Sequence, residues 1–152
     1  MRKIFKVMIG LAALLALLSF GIYFLFPEVL FKLAVQAQRQ AAGLVTKEIQ
    51  VDDHNIVYLE GGKGQTLLLL HGFGANKDNW TRFAKHLTGD YHVVIPDIPG
   101  FGESSQIKKG RYDAETQVKR IDRFIEVMKL DRFHVAGNSM GGMLAAMYGA
   151  AF

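Results

Sequence analysis

The chain has 152 residues, half of them apolar, a formal net charge of +4, a pI near 9.4 and no cysteine. A basic pI can point to nucleic acid, but residues 47–152 hold 13 basic and 13 acidic side chains, so the excess lies in the N-terminal 46 residues and the body has no electrostatic reason to seek a polyanion. Without cysteine there is no disulfide framework, thiolate metal site or lipoprotein-type cysteine.

From Val7 to Pro27 no residue is charged, and Leu, Ile and Phe dominate. As a helix this run spans about 30 Å, the thickness of a bilayer core. It predicts a transmembrane signal anchor over residues 1–27. A cleavable signal peptide has a shorter apolar region followed by a small-residue site, and the nearest such site, Val35-Gln36-Ala37, lies too far downstream. Arg2, Lys3 and Lys6 precede the run, against Lys32, Arg39 and Glu28 after it; the positive-inside rule therefore puts the N-terminus in the cytoplasm. In a Gram-negative bacterium the body would face the periplasm. Residues 28–44 carry Val29, Leu30, Leu33, Ala37 and Ala41 at helical spacing and read as a juxtamembrane amphipathic helix or a helical linker ended by Gly43.

The third segment, 45–152, opens with two β-rich runs, Thr46–Val51 and Ile56–Glu60, around a polar turn cluster at 52–55, which predicts a hairpin. Gly61-Gly62-Lys63-Gly64 lacks the Lys-Ser/Thr ending of a phosphate loop and precedes a strand, so it reads as a tight turn. Thr66–Leu70 is continuously apolar, as a central parallel strand covered on both faces should be. At its end stands His71-Gly72-Phe73-Gly74. Glycines there let the backbone turn and leave an N–H, that of Phe73, free to meet a developing oxyanion. His71 reads as a structural residue holding the loop and not as a general base.

Trp80, Phe83, Ala84 and Leu87 follow at i, i+3, i+4 and i+7 and predict a helix, with Trp80 in core packing. His92–Pro96 is the next strand, and Asp97-Ile98-Pro99-Gly100-Phe101-Gly102-Glu103-Ser104 forms a fixed wall at its end, where Asp97 reads as a brace of the loop more readily than as a catalytic acid. After the basic connection 106–111, a helix from Asp113 to Met128 turns Val118, Ile121, Phe124, Ile125 and Met128 to the sheet and Lys119, Arg120 and Arg123 to water. Phe133–Ala136 reads as a buried strand in which His134 is a packed or edge residue, and Gly142–Ala150 reads as a helix.

Between the last two lies Gly137-Asn138-Ser139-Met140-Gly141. Gly-x-Ser-x-Gly between strand and helix is a nucleophile elbow, a turn so sharp that the serine is strained and its hydroxyl stands above the sheet. Gly137 and Gly141 omit side chains that would collide, and the Met140 N–H points where an oxyanion would form. Ser139 is the candidate nucleophile.

The order of strands, loops and helices predicts an α/β fold with a mainly parallel sheet and helices on both faces. HGFGANKDNW, DIPGFGES, QVKRIDRF and GNSMGG together resemble the N-terminal half of the α/β hydrolases, and within them the membrane-anchored monoacylglycerol lipases and related bacterial lipases, over residues 45–152. The resemblance implies serine-dependent hydrolysis of lipid esters without a cofactor, with acylglycerols met at the bilayer. Serine at the elbow sets the chain apart from the dehalogenase and epoxide-hydrolase branches, which use aspartate. GNSMGG is shared with carbon–carbon bond hydrolases of ring-cleavage products, an alternative reading. In the family the triad acid and histidine follow the serine, yet only 13 residues follow Ser139 and all five histidines precede it. The expectation is therefore a truncated domain that is inactive by itself, the third reading being a catalytically dead, membrane-tethered remnant. Oligomeric state is not legible.

Overall fold

The computed structural model describes residues 2–108 and 110–152. The chain divides into two compact units, one ending at Ala37 and one running from Gln38 to Phe152.

In the first unit, α1 (Arg2–Leu25) is a 24-residue helix with no buried residue, long and apolar enough to cross a membrane. Leu, Ile, Phe and Ala on every side give it no polar face to turn to water. Phe26 interrupts the helical geometry before α2 (Pro27–Ala41), as expected of a residue preceding proline; the last turn of α2, from Gln38 on and including Arg39, belongs to the second unit. Pro27 opens α2 at the position where a missing N–H costs nothing. Val29, Phe31 and Leu33 of this helix are all exposed. Gly43, at φ 64°, ends it with its N–H on the Gln40 carbonyl, as the sequence predicts.

In the second unit, β1 (Leu44–Val51) and β2 (His54–Gly61) form the expected hairpin, each slightly longer than predicted, with Val51 facing His54 across the two-residue turn. β3 (Gln65–Leu70), β4 (Tyr91–Pro96) and β5 (Phe133–Gly137) complete a five-stranded sheet of order β1-β2-β4-β3-β5. β3 runs parallel to β4 and β5, while β2 pairs antiparallel with β1 and β4. The sheet is thus mixed, with the parallel strands β3, β4 and β5 on one side and the antiparallel hairpin β1–β2 on the other. The physical reason is local: a short turn can join β1 to β2 only in antiparallel sense, whereas each parallel pair needs a crossover.

Leu68, Leu69 and Leu70 have no exposed surface, and their alternation divides the core between two faces. Leu68 and Leu70 join Ile56, Val94 and the apolar side of α4 (Ala114–Val127) and α5 (Met140–Ala151). Leu69 joins Leu44, Leu59, Val93 and Ile95 on the opposite face, covered by α3 (Thr81–Ala84) with Trp80 and Leu87. Helices on both faces are as predicted. The helix expected around Trp80–Leu87 is not. It is a 3₁₀ turn (Lys77–Trp80) followed by the four residues of α3 and then by turns in which the His86 and Leu87 N–H groups bond three residues back. Trp80, Ala84 and Leu87 still pack on the sheet, but Phe83 is half exposed.

α4 matches its prediction, with Asp113 as N-cap accepting from the Thr116 N–H at 3.1 Å. Arg120 differs from the solvated face assigned to it: its guanidinium lies 4.7 Å from the centre of the Tyr112 ring. In the preceding connection, Lys109 lies outside the described residues. β5 is an edge of this sheet, so Phe133, Val135 and Ala136 are half buried instead of fully buried, and His134 is exposed.

Candidate active site

β3, β4 and β5 end side by side, and the loops that leave them supply the site. Leu70 pairs with Gly137, and the Asn138 N–H donates to the Leu70 carbonyl at 3.1 Å, so the elbow and the His71-Gly72-Phe73-Gly74 loop leave the sheet at one level. Ser139 is exposed at the N-cap of α5 with φ 51° and ψ −117°. Asp52 and Lys129 are the other non-glycine residues of positive φ among those described, both in ordinary turns. The ψ of Ser139 takes it outside even the left-handed helical well, so strain is concentrated on the predicted nucleophile.

The flanking glycines are sterically required. A Cβ on Gly137 would fall closer than 3.0 Å to backbone atoms of Gly141 and Gly142, and one on Gly141 equally close to the carbonyls of Leu70 and His71. Gly72 brings the second loop against the first: its Cβ would stand 3.3 Å from Asn138 Oδ1 and 3.4 Å from the Ser139 Cβ. Gly74 turns the loop with φ 68°, in open space. Among the described residues neither the Phe73 nor the Met140 N–H has an acceptor. Met140 opens a 12-residue helix whose unpaired N–H groups carry partial positive charge.

His71 is fully buried, with both ring nitrogens committed. Nε2 accepts from the Ile98 N–H at 3.0 Å, so the proton sits on Nδ1, which donates to the Gly72 carbonyl at 2.8 Å. Desolvation holds its pKa below the ordinary 6.5, against an opposing pull from the Gly72 carbonyl. This is the loop-holding role predicted for it. Because the unfolded chain takes up the proton first, stability is expected to fall as pH drops below about 6.5 and to level off below the folded-state pKa. Urea midpoints measured from pH 7.5 to 5 should show that slope in the native protein and a shallower one in His71→Asn.

Asp97 has no exposed surface and braces the loop, as predicted, through a partner the sequence reading missed. Lys77, only 1% exposed, donates its backbone N–H to Asp97 Oδ1 and its ammonium to Oδ2, both at 2.6 Å. The signal was there: a carboxylate between Pro96 and Ile98, inside an apolar run, needs a buried cation. Gln117 was also missed; its side chain donates to the Pro99 carbonyl at 2.8 Å and ties α4 to the same loop. Beside the elbow, His71, Gly72, Ala75, Asn79, Trp80 and Asn138 line a cavity of about 260 Å³. The predicted core residue Trp80 therefore has a second surface on the site. Of the other histidines, His92 and His134 lie near the far ends of β4 and β5.

A sequence profile of the α/β hydrolase fold matches residues 65–152. Lipase 1 of Psychrobacter immobilis is 42% identical over 122 residues, covering 78% of this chain and 38% of that protein. Monoacylglycerol lipase ABHD6 of Homo sapiens is 33% identical over 133 residues, 84% of this chain and 40% of that protein. Among solved structures, a membrane phospholipase A described as a bacterial virulence factor superposes with a TM-score of 0.81 at 47% identity, over 96% of this chain and 47% of that one. A putative lipase from Acinetobacter baumannii gives 0.78 at 39% identity, over 80% and 42%. The chain spans about two fifths of the length of the curated relatives it matches. With the strained serine between two obligatory glycines, the glycine loop against it and a profile match over more than half its length, this chain belongs to the α/β hydrolase fold family.

Proposed function

We propose that the protein is a serine hydrolase of lipid carboxylic esters, of the monoacylglycerol lipase or esterase type. The observation that carries this reading is the placement of a strained, exposed Ser139 against a loop whose Phe73 N–H, like that of Met140, has no acceptor. Ser139 Oγ attacks the acyl carbonyl, and the two N–H groups receive the negative charge of the tetrahedral intermediate. The intermediate expels the alcohol, and water then releases the fatty acid from the acyl-serine. A histidine base and its acid are required as well. His71 does not serve, because its ring nitrogens already hold the loop. The lipase names of the relatives support the substrate class. An alkyl fluorophosphonate should label Ser139 in the protein supplied with its base, and equal labelling of Ser139→Ala would sink the assignment.

The reading includes a bilayer anchor in α1, with the hydrolase unit across the membrane from Arg2 as the basic residues before Val7 indicate. Protease added to intact spheroplasts is expected to digest the hydrolase unit. Protection until lysis would reverse the orientation.

A further inference from the structure

We infer that the buried Lys77–Asp97 ion pair sets the position of the Phe73 N–H, which makes Lys77 a positioning residue for the reaction proposed above, on which this inference rests. The pair is dry: the two side chains are 1% and 0% exposed. Removing both charges from water is expensive, and apolar residues of similar volume commonly fill such a place at no loss of stability. What the pair offers beyond filling is geometry.

One carboxylate holds three donors: the Lys77 N–H and ammonium, each at 2.6 Å, and the Glu103 N–H at 2.8 Å. No larger residue than glycine fits at 102, where a Cβ would run into the Asp97 carboxylate. The carboxylate is therefore immobile. Six residues before Lys77, the next residue of the same strand-end loop holds His71 through the Ile98 N–H. Both ends of the 71–77 segment are thus pinned to the dipeptide Asp97-Ile98, and Phe73 lies between the pins. Its own side chain is 80% exposed, so packing does little to fix its backbone.

A second tier surrounds this clamp. Arg39, in the last turn of α2, forks onto Asp78 with two bonds of 2.7 Å and reaches Glu103 at 3.4 Å, and Glu103 in turn lies 3.2 Å from the Lys77 ammonium. Arg39 thus steadies the residue next to Lys77 without touching the buried carboxylate.

The test compares Lys77→Met and Arg39→Gln in the active enzyme, with Ile121→Val on the buried face of α4 as a control for lost stability. Lys77→Met is expected to lower kcat about 10²-fold, the scale of a misplaced transition-state donor, with KM changed by less than about threefold. Affinity for a trifluoromethyl ketone, whose adduct with serine carries the oxyanion, should fall in parallel. Arg39→Gln should lower both about fivefold, and Ile121→Val neither. If Lys77→Met does not fold, Arg39→Gln decides alone. Unchanged kcat and ketone affinity in the folded variants would overturn the inference and leave the pair merely structural. Loss of ketone binding in Ser139→Ala separates this result from failure of the nucleophile assignment, since an unaffected Ser139→Ala would sink that reading first.

Discussion

Replacing Ser139 by alanine is expected to lower ester turnover by about 10⁶-fold in the protein carrying its base and acid, the scale of nucleophile deletions in serine hydrolases. Binding should survive. The cavity lined by His71, Asn79, Trp80 and Asn138 does not depend on the serine hydroxyl, so KM for residual turnover should stay close to that of the native enzyme. Alanine also suits the backbone no better than serine at φ 51° and ψ −117°, so relief of strain is not expected to raise stability much. Steady-state kinetics on a p-nitrophenyl ester, with thermal unfolding of the same preparation, checks both parts. A loss of less than about tenfold would mean that the hydrolysis occurs elsewhere.

Gly141→Ala is expected to cause a large loss of stability. The new Cβ would meet the carbonyls of Leu70 and His71 closer than 3.0 Å. Both are backbone atoms of β3 or of the residue after it, so no flexible side chain can yield. Overpacking a core commonly costs about 1–3 kcal/mol, and a backbone collision at a strand end should reach or exceed the upper figure. Moving α5 away from β3 would also separate the Met140 N–H from the Phe73 loop, so fluorophosphonate labelling should fall together with stability. Gly149→Ala, in the same helix with nothing within 4 Å of its Cβ, should be neutral or stabilising by up to about 1 kcal/mol. Similar unfolding midpoints for the two variants would show that the elbow has room the structure denies.

The sequence alone was enough to place the strands, the long helix α4, the apolar α1 and the two glycine-bearing loops. Those features are written in short-range chemistry: short continuous apolar runs in β3 and β4, helical spacing from Val118 to Ile125, and glycines where a strand must turn sharply. The strain on Ser139 followed from the same local rule, because Gly-x-Ser-x-Gly has little other use between a strand and a helix. It was also enough to assign His71 to the loop, since a histidine ahead of consecutive turns has backbone groups to satisfy. Only the tertiary structure decided the rest. Which strands are antiparallel depends on how β2 meets β4, a pairing between residues more than thirty positions apart. The helix expected over Trp80–Leu87 is reduced to one α-helical turn between a 3₁₀ turn and further turns, and Trp80, Ala84 and Leu87 still pack on the sheet from these separate pieces. Lys77 carries no sign of burial in its own neighbourhood, because an ammonium reveals its burial only through its partner, and Asp97 stands twenty residues away. Asp97 inside an apolar run signals that a cation is needed but not which one, because charge pairing across such distances has no period; the partner is chosen only once the loops after β3 and β4 lie side by side.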